Sequence, residues 1–303
     1  MSQSINTNLV SLNAQRNLSS SQSSLNTAMQ RLSSGLRVNS AKDDAAGLSI
    51  AERMNAQVRG MTVAMRNAND AISMAQTGEG ALAKVGDLFQ RMRELAVQSA
   101  NGTNSADDRV SLNQEYVQLA QEATRTLGGT KFNGANILAT TADSAFQIGA
   151  NNNTTLDQIK VAAFAWTADA GVASVLGTAV LAGTLVGSYD SATSTFTTGT
   201  DAPTQLITTA ADALTTVTNI DAAINSINAQ RATFGAVQNR FENVVATLQV
   251  AAENQSAARS RIMDADYAVE TSNLSRANIL QQAGNAMVAQ ANQLPQQVLA
   301  LLR

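Results

Sequence analysis

The chain has 303 residues, with 20 Lys and Arg against 23 Asp and Glu, a net charge of −3, and neither Cys nor His. That excludes disulfides, thiol nucleophiles, zinc fingers, iron–sulfur clusters, the Ser-His-Asp triad and imidazole metal ligands. The small negative charge argues against a nucleic-acid partner, and no run of 18 apolar residues is present to cross a membrane.

Charge is unevenly spread. Residues 1–142 carry 13 cations and 11 anions, and residues 222–303 carry 6 and 5. Residues 143–221 hold one cation, Lys160, and seven Asp, in a stretch rich in Thr, Gly and Val. The chain therefore reads as a helical flank, a β-prone centre and a second helical flank. Its opening, MSQSINTNLV, has no basic stretch followed by an apolar one. No cleaved secretory signal is expected, although specialised export routes read uncleaved N-termini.

In the first flank Leu18, Leu25, Met29, Leu32 and Leu36 step by 7, 4, 3 and 4, a heptad seam. Gly35 and Val38-Asn39-Ser40 interrupt it. Ser40 and Asp43 have capping-box spacing, which predicts a new helix over about 43–100. Its apolar grid runs through Met54, Val58, Met61, Met65, Ala68, Ile72 and Ala75, then Val85, Leu88, Met92 and Leu95. Ser105 and Asp108 predict a further helix, lined by Leu112, Tyr116, Leu119, Ala123 and Leu127 and ended by Gly128-Gly129. Asn133-Gly134 and the alternation at Phe146-Gln147-Ile148 predict a small β-hairpin region over 131–148. Residues 161–210 read as short strands and loops without assignable register.

The second flank is expected to start near Thr218, with Asp221 as its cap partner. Ile220, Ile224, Ile227, Phe234, Phe241, Val245, Leu248, Ala252 and Ile262 share one grid, whose missing points are Arg231, Gln238, Gln255 and Arg259. After a break at 263–266, Leu280, Met287, Leu294 and Leu301 recur at steps of seven, with Gly284 and Ala291 four residues after the first two. Both chain ends thus carry amphipathic stripes with no core of their own. Helices need tertiary partners in water, so the termini are expected to pair with each other and to leave apolar surface for self-assembly. The fold class is mainly α: a long antiparallel helical bundle or coiled coil with paired termini, a small β-hairpin region and a small central insert.

Four segments carry a family resemblance. Residues 32–48 (LSSGLRVNSAKDDAAGL), 89–101 (FQRMRELAVQSAN), 230–240 (QRATFGAVQNR) and 290–303 (QANQLPQQVLALLR) resemble the hallmark blocks of bacterial flagellins. The resemblance covers roughly residues 1–150 and 215–303. It implies a non-enzymatic structural subunit that polymerises into the extracellular flagellar filament. Residues 1–43 with 263–303 would form an inner coiled-coil domain, and 44–160 with 211–262 a helical domain. Residues 161–210 would form a small surface-facing insert. Implied partners are other copies of the chain, a flagellar type III export chaperone, a cap protein and the hook–filament junction protein. Neither cofactor, nucleic acid nor membrane is among them. The resemblance also makes Gln90, Arg91, Leu95, Gln98 and Glu115 contact positions for the vertebrate toll-like receptor for flagellin.

The remaining candidates have structural readings. Asp43-Asp44 and Asp107-Asp108 sit where carboxylates cap helices, and Asp264 and Asp266 lack the further oxygen ligands of a calcium loop. The Met54, Met61 and Met65 stripe reads as core rather than a binding face. The assembly seam is read as Leu18, Leu25, Leu32 and Leu36 with Leu280, Met287, Leu294 and Leu301. Arg231 and Gln238 are expected to set subunit register. Two rivals share these features: the hook–filament junction protein, and a helical signalling bundle of the chemoreceptor type. The 90–101 block favours flagellin over the first, and the Thr/Gly-rich centre argues against the second.

Overall fold

The computed structural model describes residues 8–176, 188–190, 195–197 and 206–301, with side chains described as far as residue 293 in the last segment and not in the two short central ones. It contains helices α1 (Leu9–Ser34), α2 (Ala45–Ser99), α3 (Ala106–Gly129), α4 (Ala170–Leu176), α5 (Ala210–Met263) and α6 (Tyr267–Leu301). The strands are β1 (Lys131–Phe132), β2 (Ala135–Asn136), β3 (Ser144–Gln147), β4 (Gln158–Val161), β5 (Ser188–Asp190) and β6 (Thr195–Thr197). The chain is mainly α-helical, as its periodicity requires. It divides into two compact units, residues 1–59 with 251–303 and residues 60–250.

In the first unit α1 and α6 pair along their length. Asn8 caps α1 by accepting from the Ser11 N–H, and Gly35 ends it at φ 71, a left-handed position open to glycine without strain. The chain entering α2 and the chain leaving α5 are tied by backbone bonds. Arg37 N–H donates to the Met263 carbonyl at 2.6 Å, and Ala265 N–H to the Gly35 carbonyl at 2.9 Å. Val38, Ala51 and Met263 bury a small cluster beside this tie. The Ser40 and Asp43 spacing does not open α2 as expected. Asp43 Oδ2 accepts from the backbone N–H groups of Asn39 and Ser40 and from the Ser40 hydroxyl, which closes a turn. The helix begins two residues later, where Asp44 Oδ1 accepts the Gly47 N–H at 2.7 Å.

The second unit is built on α2, α3 and α5. Their inward faces contribute Leu82, Val85, Phe89, Met92 and Leu95 from α2, Tyr116, Ala123 and Leu127 from α3, and Ile220, Ile227, Phe234 and Phe241 from α5. Ser105 and Asp108 form the predicted reciprocal box at the start of α3. The start of α5 differs from expectation. It opens at Ala210, with Thr209 and Asp212 making the cap contacts assigned to Thr218 and Asp221. The grid continues upstream through the buried Ala213 and Thr216, so packing carries the helix past Thr218. Asp221 instead pairs with Arg93 across α2 and α5 at 2.6 Å.

Two hairpins close this core. β1 and β2 pair antiparallel through Asn133 (φ 49) and Gly134 (φ 81), the two left-handed residues of a tight turn. β3 pairs antiparallel with β4, Ser144 opposite Val161 and Gln147 opposite Gln158, so the partner of the Phe146 strand lies beyond the region predicted to contain it. The Phe146 ring meets Phe241 edge-on at 5.7 Å. Residues 161–176 also depart from the expected surface insert. Val161, Phe164 and Trp166 with Val172, Val175 and Leu176 of α4 are buried in the main core. Bulky apolar residues among Thr and Ala have no other place to leave water. β5 and β6 form a further antiparallel pair, and the rest of the expected insert lies outside the described residues.

Candidate assembly and recognition surfaces

The terminal pair is antiparallel, and its contact line is built from residues seven apart. On α1, Ser11 and Leu25 are buried and Leu18 and Leu32 half-buried; Leu36, just past the helix, is also half-buried. On α6 the facing row is Glu270, Ala277, Gly284 and Ala291, all buried except the half-buried Gly284. A Cβ on Gly284 would meet Leu18 Cδ1 at 3.1 Å, so the small row brings the helices close. Polar groups bridge them at intervals. Asn8 Nδ2 donates to the Ala291 carbonyl at 2.7 Å, and the Ser11 hydroxyl to Asn292 Oδ1 at 2.8 Å. Gln281 Nε2 donates to Gln22 Oε1, and Arg31 Nη1 to Glu270 Oε1 at 3.0 Å.

The larger apolar residues of α6 are not in that line. Leu280 and Met287 remain 50% and 59% exposed, and Ile279 66%. On α1, Leu9, Val10 and Met29 are exposed as well, so Met29 leaves the seam its spacing predicts. A groove of about 540 Å³ lies between the helices, lined by Leu9, Val10, Leu18, Leu280 and Met287 among others. Such a contiguous apolar face is uncommon on a monomer and is what an interaction surface looks like. Leu294 and Leu301 lie outside the residues whose side chains are described.

Arg231 and Gln238 belong to the second unit, on α5. Gln238 Nε2 donates to Glu79 Oε2 of α2 at 3.0 Å. Arg231 buries its Nε without a hydrogen-bond partner among the described residues. Both are half-buried on α5 in the helical unit. Gln255, the next polar grid point, belongs to the first unit and donates to Gln57.

The 90–98 block presents a charged face. Arg91 Nε and Nη2 donate to Glu115 Oε1 of α3 at 2.9 and 2.8 Å, and Nη1 to Glu94 Oε2 at 2.9 Å. These bonds, first that to Glu94 and then that to Glu115, raise the pKa of the Arg91 guanidinium above its ordinary value. Gln90 and Gln98 are exposed on the same helix. Leu95 is not: at 1% exposure it is part of the core, because it lies on the apolar grid of α2. The structure thus brings four of the five predicted positions to the surface and excludes Leu95. It adds Glu94, three residues after Arg91 and signalled by that spacing alone.

Of the remaining candidate carboxylates, Asp266 and Asp108 cap helices. Asp266 Oδ1 accepts the N–H groups of Ala268 and Val269 at the start of α6. Hydrogen bonds from Ser105, its hydroxyl first and then its N–H, hold the Asp108 carboxyl below the ordinary aspartate value. Among the described residues no group of three or more Asp and Glu is arranged to hold a metal ion, and no helix is long and apolar enough to cross a membrane.

Two family models match the chain: the bacterial flagellin N-terminal helical region over residues 5–143 and the bacterial flagellin C-terminal helical region over residues 217–302. The chain is 42% identical over 302 residues to a flagellin of Halalkalibacterium halodurans, covering 99% of both proteins. It is 46% identical over 313 residues to a flagellin of Xenorhabdus nematophila, covering 100% of both. Among solved structures it is similar to a Bacillus cereus flagellin, at 33% identity and a TM-score of 0.44, over 64% of this chain and 94% of that one.

Proposed function

The chain belongs to the bacterial flagellin family, whose members are structural subunits of the extracellular flagellar filament, and from that premise we propose how it is delivered and assembled. The subunit is exported by the flagellar type III route, with a chaperone covering α6 until release. A cap protein directs insertion at the tip, and the hook–filament junction protein supplies the first docking surface. The observation that supports self-assembly is the exposed apolar row of the terminal pair. Leu9, Val10, Ile279, Leu280 and Met287 need cover that the chain itself does not supply. The absence of cysteine suits passage through a channel in an unfolded state. The charged face at Arg91, Glu94 and Glu115 is offered to the host toll-like receptor in the free monomer.

Purified chain supplied with short filament seeds should elongate them in electron micrographs. Deletion of residues 1–40 or 265–303 should abolish elongation while leaving the 60–250 unit folded. Deleted chains that still elongate seeds would overturn the assembly reading.

A further inference from the structure

Methionine is the only sulfur-bearing residue of the chain, which has nine Met and no Cys. Burial sorts these sulfurs. Met74, Met92 and Met263 are buried, and Met54, Met61 and Met65 are half-buried on α2. Among the described residues only Met29 and Met287 are exposed. The two differ in setting. Met287 lines the groove between α1 and α6, together with Leu9, Val10, Leu18 and Leu280. Met29 lies further along α1 and outside that groove.

An exposed thioether is open to oxidation by peroxides. The sulfur of Met287 attacks one oxygen of hydrogen peroxide. The O–O bond breaks, an S–O bond forms, and the second oxygen leaves as water with both hydrogens. Sulfur loses two electrons and the peroxide gains them. The product is a sulfoxide, which turns a flexible apolar side chain into a polar one. On the free chain this oxygen faces water, because Met287 is 59% exposed, so the change costs the subunit little. Under a covering chain the same oxygen would be taken out of water into a largely apolar groove, and a buried polar group without a partner is costly.

We propose that Met287 is an oxidation site that gates assembly: its sulfoxide, formed on the free chain by hydrogen peroxide, keeps that chain out of the filament. The covering partner is a second copy, since the chain belongs to a family of filament subunits. A copy seated on the groove in turn shields the sulfur, so a chain already incorporated is spared. Met29, equally open to the oxidant but outside the groove, does not carry this effect. The inference rests on the assembly reading above.

The test applies hydrogen peroxide to the purified full chain, at a dose that oxidises Met29 and Met287 and leaves the fluorescence of Trp166 unchanged. Trp166 is the only Trp and is buried in the 60–250 unit, so constant fluorescence shows that the helical core is intact. Each chain is compared with its untreated self. Treatment should raise the critical concentration for seeded elongation by at least about tenfold in the parent and in Met29→Leu. In Met287→Leu, where Leu keeps the volume and apolar character of Met, the rise should stay below about threefold. Methionine sulfoxide reductases, one for each sulfoxide epimer, should restore elongation of the treated parent. Peptide mass spectrometry should find Met287 oxidised at least about tenfold more slowly in filaments than in free chain. A Met287→Leu chain as sensitive as the parent, no recovery after reduction, or equal oxidation rates in filament and free chain would each overturn the proposal. Failure of the untreated parent to elongate seeds would instead overturn the assembly reading.

Discussion

Truncating Leu280 and Met287 to Ala should weaken assembly. Fully burying a Leu or Met side chain stabilises by about 1.5–3 kcal/mol relative to leaving it in water. Here 50% and 59% of these residues remain exposed, so roughly half of that gain is available only to a neighbouring subunit. That is about 1 kcal/mol each, or about 2 kcal/mol per subunit for the pair. Since about 1.4 kcal/mol is a factor of ten, the critical concentration of the double variant should rise about 30-fold. The rise should be read by sedimentation of filaments across a dilution series. Ala is the best helix former, so the truncation does not weaken α6 through propensity. Leu25→Ala is the contrasting change, because Leu25 is buried within the chain's own pair. It should cost about 2–5 kcal/mol of that pairing. If the double variant shifts the critical concentration by less than about threefold, the exposed row is not the assembly surface and the reasoning fails.

Three further outcomes are expected. A Cβ on Gly171 would meet backbone atoms of Ala222 at 3.0 Å, so Gly171→Ala should push α4 off α5 and cost about 1–3 kcal/mol, whereas Gly86→Ala, with open space around it, should be neutral or stabilising; calorimetry of the 60–250 unit decides. The Asp108 carboxyl is held below 3.8 by the Ser105 hydroxyl and N–H, so its stabilising contribution is present above that pH and lost as pH falls through the lowered value. The melting-temperature gap between the parent and Asp108→Ala should therefore be constant near neutrality and narrow in acid; a gap that does not narrow as pH falls would contradict the box. Arg91→Ala removes the centre of the Glu94 and Glu115 contacts, which are exposed and worth little to folding, so melting should barely move while signalling in a toll-like receptor reporter cell falls. Unchanged signalling would remove the receptor role.

The heptad stripes, the break at 263–266, the box at Ser105 and the tight turn at Asn133-Gly134 were legible because each rests on local chemistry. What remained hidden depends on packing between distant segments. Thr209 and Asp212 have the same spacing as Thr218 and Asp221, and only the burial of Ala213 and Thr216 against the rest of the core decides which pair caps α5. Trp166 and α4 sit in a stretch whose Thr and Ala content reads as surface, yet a few bulky side chains are enough to pull it into the core. Leu95 lies on the inward grid of α2 and is buried with it, although the family resemblance counts it among the contact positions.

The terminal helices carry the same lesson one level higher. On α6 two rows repeat at seven residues, the large one at Leu280 and Met287 and the small one at Ala277, Gly284 and Ala291. Periodicity alone favours the large row as the seam, because it offers more apolar area. The chain instead buries the small row against α1 and leaves the large row outside. Leucines of α1 thus pack on small residues of α6, which brings the helices close, while the large row stays exposed. The larger apolar area of α6 is therefore left uncovered by the described residues.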